Sequence, residues 1–199
     1  MRIQNIIFDV GKVLVSYEPE LFMDNLGFDA KTKKAVDAAM FSNPIWVEAD
    51  AGTYPKDAYL EKYIAEAPEY EKDIRLAYER MGETVELCPY AVEWVSGLKK
   101  QGYHLYVLSN YSEHLLELTR DKMLFLPYMD GVVFSSQCKY LKPKPEIYRH
   151  LLDTYHLDAS ESVFIDDRQE NVEGAMDCGI PAIRFSDYET TRRLLSEMM

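Results

Sequence analysis

A chain of 199 residues, 47% hydrophobic and 28% charged, has the composition of a folded protein long enough for one full core and a small added domain. Its net charge of -12 leaves no basic excess to displace counterions from phosphates, so nucleic acid is not an expected partner. Three scattered cysteines, Cys88, Cys138 and Cys178, give neither a disulfide framework nor a zinc site and suit a reducing compartment.

The chain opens on an apolar run, Ile3–Phe8, that reads as a buried strand. Followed on to Val15, the run is interrupted by Asp9 and Lys12 and is too short to cross a bilayer. Neither a signal peptide nor a membrane partner is therefore expected, and the expected location is the cytoplasm. Asp9 comes directly after the strand, where a carboxylate either caps the next turn or stands ready for chemistry. Gly11 permits a tight loop at that point. From Ser16 to Cys88 no strand is expected. The stretch reads as four or five short helices, with Pro19, Pro44, Pro55 and Pro68 near their starts and Lys31–Met40 and Lys56–Ala65 the clearest patterns. This block begins at the loop where open sheets bind ligands, so it is expected to act as a lid rather than as an independent domain.

The second strand, His104–Leu108, ends on Ser109 and Asn110, which either start the following helix or hydrogen-bond a phosphoryl oxygen. A third, Gly131–Phe134, precedes Leu141-Lys142-Pro143-Lys144-Pro145, a proline-braced approach to a helix whose lysines are either surface charge or functional. The fourth, Ser162–Ile165, closes on Asp166 and Asp167. Adjacent carboxylates there are costly without positive charge beside them, and a hard divalent cation bound through oxygen is the economical explanation. Pro181–Phe185 reads as a fifth strand. Strands alternating with helical stretches, and Gly102 and Gly179 at C-cap positions just before strands, specify a doubly wound α/β domain with a parallel sheet.

Taken in order, Asp9, Ser109, Lys142 and the Asp166-Asp167 pair resemble the motifs of the haloacid dehalogenase superfamily over essentially the whole chain. The resemblance implies a Rossmann-like core of residues 1–15 and 89–199 with a helical cap over 16–88. It also implies a Mg²⁺ cofactor and a small phosphorylated metabolite as substrate, hydrolysed through an aspartyl-phosphate; it leaves the oligomeric state open. By this likeness Asp9 is the nucleophile and a metal ligand, Gly11 lends its carbonyl to the ion, Asp167 binds it directly and Asp166 helps through water or a hydrogen bond. Ser109 and the Asn110 backbone would hold the phosphoryl group, Lys142 would neutralise its charge, and Lys144 would be surface charge.

The form Phe8-Asp9-Val10-Gly11-Lys12-Val13-Leu14 departs from most phosphatases of the superfamily, which carry a second aspartate where Gly11 stands. It resembles bacterial sugar phosphatases, among them α-glucose-1-phosphate phosphatases, and the phosphatase-like domain fused to some epoxide hydrolases. Three readings follow. A lid residue, with Asp50 the candidate, replaces the missing acid and meets the substrate; or the substrate has a good leaving group, such as a sugar 1-phosphate; or the protein binds phosphorylated ligands with little turnover. Metal-free 2-haloacid dehalogenases are the enzymatic rival, but they carry no acidic pair after the fourth strand. Lys12 either points to solvent or leans over the phosphate, and Phe22, Phe41, Trp46, Tyr54 and Tyr59 either line a pocket or fill the lid's core.

Overall fold

The structure, a computed structural model, describes residues 3–199. In chain order the elements are β1 (Asn5–Phe8), β2 (Val15–Tyr17), α1 (Pro19–Asn25), α2 (Ala30–Ala39), α3 (Pro44–Ala51), α4 (Asp57–Glu66), α5 (Glu71–Arg80), β3 (Val85–Leu87) and α6 (Ala91–Lys100). They continue with β4 (His104–Ser109), α7 (Glu113–Thr119), β5 (Gly131–Phe134), α8 (Ser135–Cys138), α9 (Pro145–Tyr155), β6 (Ser162–Asp166), α10 (Gln169–Asp177), β7 (Ala182–Arg184) and α11 (Tyr188–Met198).

The five apolar runs form one parallel sheet in the order β5-β4-β1-β6-β7. Its central strands are apolar on both faces because both faces are covered. Ile6, Phe8, Leu105, Val107, Val163 and Ile165 belong to the core that includes Trp94 and Leu195, whereas Ile7, Tyr106, Leu108 and Phe164 meet Ile147, Leu151 and Ala175 from α9 and α10. The chain leaves β1 in one direction to build β4 and β5, then returns to build β6 and β7 on the other side. The order therefore reverses between β1 and β6, and a crevice opens there at the carboxyl ends of the strands.

The insert between β1 and α6 is helical, as its proline spacing predicts, and Pro19 and Pro44 open α1 and α3. Asp29 and Asn43 cap α2 and α3 through their side chains. The expectation of no strand between Ser16 and Cys88 is corrected. β2 and β3 pair antiparallel where the insert leaves and rejoins the sheet domain, with Ser16 opposite Glu86. Three residues are too few to carry a period-two pattern, and their pairing partner lies about seventy positions away, so nothing local announces them.

The insert sits on the sheet's carboxyl end through α3. Gly52, at φ 60°, ends that helix in the left-handed conformation, and a β-carbon there would collide with the Ser136 carbonyl and the Lys139 ammonium. Lys139 Nζ donates to the Gly52 carbonyl at 2.8 Å, and the Ser135 hydroxyl donates to the Asp50 carbonyl. Lys56 adds an ion pair to Glu117.

Candidate active site

Register places the candidate residues before any side chain is considered. Phe8 pairs with Val107 on one side and Ile165 on the other, so Asp9 emerges level with Asp166 and one step short of Ser109. The Asp9 N–H donates to the Ile165 carbonyl at 2.9 Å, which fixes the first residue past the strand. The Ser109 hydroxyl then donates to Asp9 Oδ1 at 2.6 Å, the Val10 N–H donates to the same oxygen at 2.7 Å, and Lys142 Nζ lies 2.8 Å from it. Among the described residues all three donors converge on Oδ1, so Oδ2 is the oxygen of Asp9 without a protein donor.

Lys142 is almost wholly buried and also touches Asp166 Oδ2 at 2.6 Å. Burial works against its positive charge, but Asp9 and Asp166 more than offset that and raise its pKa. Burial pushes the Asp9 carboxyl up to about 7, against the pull of Lys142 and with repulsion from Asp166. The carboxylates of Asp9, Asp166 and Asp167 offer ligand atoms within 4.8 Å of one another. Three carboxylates against one ammonium leave two negative charges, which one divalent cation would balance.

The two acids of the pair have separate surroundings. Asp166 is fully buried and accepts from Lys142 Nζ, from the Arg168 N–H at 2.9 Å and from Asn171 Nδ2 at 3.0 Å. Asp167 is half-buried and lines the cavity, and burial raises its carboxyl with a further push from Asp166 while Lys12 counters. Lys12 itself is exposed at the rim, in the left-handed backbone region at φ 58°.

Asn110 takes a different part from the one its amide suggested. Its side chain grips the backbone of Lys142 twice, accepting from the Lys142 N–H at 2.9 Å and donating to its carbonyl at 3.0 Å. The amide thereby holds the lysine loop, and Asn110 lines the cavity beside it. Sequence reasoning gave no part to Asn171, Gly174 or Ser135. Asn171 holds Asp166, and a β-carbon at Gly174 would strike the Pro143 carbonyl at 2.5 Å, so only glycine lets α10 approach the lysine loop. A polar residue in the first turn of the helix that follows Asp166 was the one available signal for Asn171.

The cavity over these groups measures about 420 Å³ and includes Gly11, Ser109, Lys142 and Asp167. Its opposite wall comes from the insert: Tyr17, Trp46, Val47 and Asp50. Trp46 leans on Tyr17 and Phe41 at ring-centroid distances of 5.9 and 5.4 Å. Of the five aromatic residues weighed for a pocket, Trp46 alone lines this one, while Phe22 and Tyr59 are buried in the insert's core.

Burial raises the Asp50 carboxyl to about 7, with Asp9 adding repulsion and the Ser112 N–H, Lys142 and Arg168 opposing it. A folded-state pKa above the ordinary value means the folded chain keeps a proton that the unfolded chain has lost. Stability from this group is therefore present at low pH and disappears as pH rises through about 7. Asp50→Asn is expected to raise the melting temperature at about pH 8 and leave it unchanged at about pH 4, as thermal unfolding at the two pH values would reveal.

Comparison with known proteins gives a consistent result. The chain is 26% identical over 188 residues to a D-ribitol-5-phosphate phosphatase of Bacteroides thetaiotaomicron, covering 89% of each chain. It is 29% identical over 105 residues to the bifunctional epoxide hydrolase 2 of Sus scrofa, a match to 51% of this chain and 19% of that protein. A HAD family enzyme from Bacteroides thetaiotaomicron, solved in complex with magnesium and inorganic phosphate, superposes with a TM-score of 0.75 at 20% identity over 95% of this chain and 98% of that one, a likeness of fold. Residues 3–179 match the model of the haloacid dehalogenase-like hydrolases, and the chain belongs to that family.

Proposed function

We propose that the protein is a magnesium-dependent phosphomonoester hydrolase acting on a small phosphorylated metabolite through an aspartyl-phosphate on Asp9. The observation that carries this reading is the Asp9 carboxylate, anchored through Oδ1 and facing the cavity beside Lys142 and Asp167. The relatives named above, a phosphatase and a fold neighbour holding magnesium and phosphate, support the same chemistry. The sheet domain, 1–15 and 89–199, carries the reacting groups, and 16–88 is the cap that meets the leaving group.

Asp9, Asp167 and the Gly11 carbonyl would hold Mg²⁺, with Asp166 oriented behind them. The ion would supply positive charge beside the phosphoryl oxygens and so relieve their repulsion with Asp9. Lys142 adds the second positive charge from the other side, kept in place by Asp166 and by Asn110. Each unit charge about 4 Å from another is worth about 4 kcal/mol at an effective dielectric of 20, several powers of ten in rate. Ser109 fixes Asp9 Oδ1 and, with the Asn110 backbone, borders the phosphoryl site. Asp9 Oδ2 attacks phosphorus, the ester oxygen leaves, and water then attacks the phosphorus of the acyl phosphate to release phosphate and free Asp9.

The cap wall includes Tyr17, Trp46, Val47 and Asp50, so the leaving group is one with an apolar face to set against Trp46 and a hydroxyl to meet Asp50. A sugar or sugar-alcohol phosphate fits that description. The test is a hydrolysis screen of purified protein with Mg²⁺, with EDTA, and with Mg²⁺ restored. Turnover is expected on neutral-alcohol monophosphates, lost with chelation and regained with Mg²⁺. Chloride release from 2-haloacids without metal would transfer the assignment to a dehalogenase, and binding of phosphorylated ligands without any turnover would leave a binding protein.

A further inference from the structure

Resting on that hydrolase reading, the structure poses a proton problem. An alcohol leaving from phosphorus needs a proton, and the water that later attacks the acyl phosphate must lose one. Among the described residues no carboxyl or hydroxyl group on the sheet-domain side of the cavity is free to supply or take it, and Lys12 and Arg168, which also line it, are cations. Asp9 is the nucleophile, and Asp166 is saturated by Lys142, Arg168 and Asn171. Lys142 is shared by two carboxylates, and Ser109 donates to Asp9. Asp167 belongs to the cation. Gly11 has no side chain to offer, although the space a β-carbon would occupy there is open, with nothing within 4 Å. The hydroxyl of Tyr111 is bonded to Thr119, and burial pushes the Tyr17 phenol far above its ordinary pKa.

One carboxyl group remains. Asp50, in the last turn of α3, lines the same cavity from the cap side. Its backbone is tied to the phosphoryl site through a single buried residue: the Ser135 hydroxyl donates to the Asp50 carbonyl and accepts from the Tyr111 N–H, the residue after Asn110, at 2.9 Å. The lock of Lys139 on the Gly52 carbonyl fixes the same turn. We propose that Asp50 is the acid and base of the reaction, a catalytic residue delivered by the cap in place of one at position 11. In the first step Asp9 Oδ2 bonds to phosphorus, the phosphorus–oxygen ester bond breaks, and the Asp50 carboxyl gives its proton to the departing oxygen. In the second, water bonds to phosphorus as the bond to Asp9 breaks, its proton passes to the Asp50 carboxylate, and Asp50 is ready for the next cycle. The groups facing Asp50 are Asp9, Lys142 and Arg168 from the sheet domain, with Tyr17, Tyr63 and Tyr111 around it. The raised carboxyl pKa suits a group that holds a proton near neutrality and can still release it.

Two probes separate this role from a structural one: ribitol 5-phosphate, whose leaving alkoxide needs a proton, and 4-nitrophenyl phosphate, whose phenolate does not. Asp50→Asn preserves the backbone carbonyl that Ser135 grips. It is expected to lower kcat on ribitol 5-phosphate about 10²–10⁴-fold. With 4-nitrophenyl phosphate it is expected to give a burst of about one equivalent of nitrophenolate, then slow turnover as the acyl phosphate waits for a base. Adding Gly11→Asp, whose side chain enters open space, is expected to restore much of the ribitol 5-phosphate rate. Turnover of ribitol 5-phosphate unaffected by Asp50→Asn, or equal losses on both probes without a burst, would overturn the assignment. Wild-type protein inert toward both probes with Mg²⁺ would instead sink the phosphatase reading itself, and the assignment with it.

Discussion

Asp9→Asn is expected to abolish hydrolysis, by at least about 10⁴-fold in kcat, while phosphate with Mg²⁺ still protects the protein against thermal unfolding, more weakly than in the wild type because one metal ligand is lost. An amide oxygen can still accept from Ser109, the Val10 N–H and Lys142, so the loop keeps its shape. What the amide lacks is the anionic Oδ2 that would bond to phosphorus. Because burial and Asp166 both disfavour charge at position 9, the variant is also expected to be no less stable than the wild type. Single-turnover assays with acid quench give the direct check: wild type should yield an acid-stable, hydroxylamine-sensitive phosphoprotein, and Asp9→Asn none. A variant that keeps even a hundredth of wild-type turnover would remove Asp9 from the role of nucleophile.

Lys142→Met is expected to fail in two distinct ways. Methionine matches the stem of lysine but leaves Asp166, which has no contact with solvent, without its counter-charge. Breaking a buried pair by removing one partner costs about 3–5 kcal/mol, and at this site the stranded acid also repels Asp9. Activity is expected to drop a further 10²–10³-fold or so through loss of the positive charge beside the phosphoryl oxygens. The double variant Lys142→Met/Asp166→Asn tells the two effects apart. Removing the stranded charge should recover most of the melting temperature but none of the rate, a coupling that a double-mutant cycle measures. Near-normal turnover in a folded Lys142→Met protein would place the second positive charge elsewhere, with Lys12 and Arg168 at the cavity the groups to test next.

The same two residues mark how far one-dimensional reading reaches. Asp9, Ser109 and the Asp166-Asp167 pair could be read from the chain because each is a polar interruption directly after an apolar strand, and a parallel sheet lines such endings up on one edge. The sheet was legible for the same reason: strands buried on both faces write themselves as unbroken apolar runs, and β5 lies where its run predicts. Lys142 was legible only through the order of the motifs, since a lysine between prolines carries no local mark of burial.

Tertiary structure alone decided what contacts between distant segments decide. The pairing of β2 with β3, the turning of the Asn110 amide onto the lysine loop, and the closeness of α10 that Gly174 permits all join residues remote in sequence. So does the seating of Asp50: its presence in a helical insert was readable, but the hydroxyl of Ser135 that ties it to the phosphoryl loop lies 85 positions away. A strand's end is set by its own sequence and its neighbours' register, so the edge of the sheet could be foreseen. A side chain's hydrogen-bond partner is set by which surfaces meet after folding, and no local pattern encodes that.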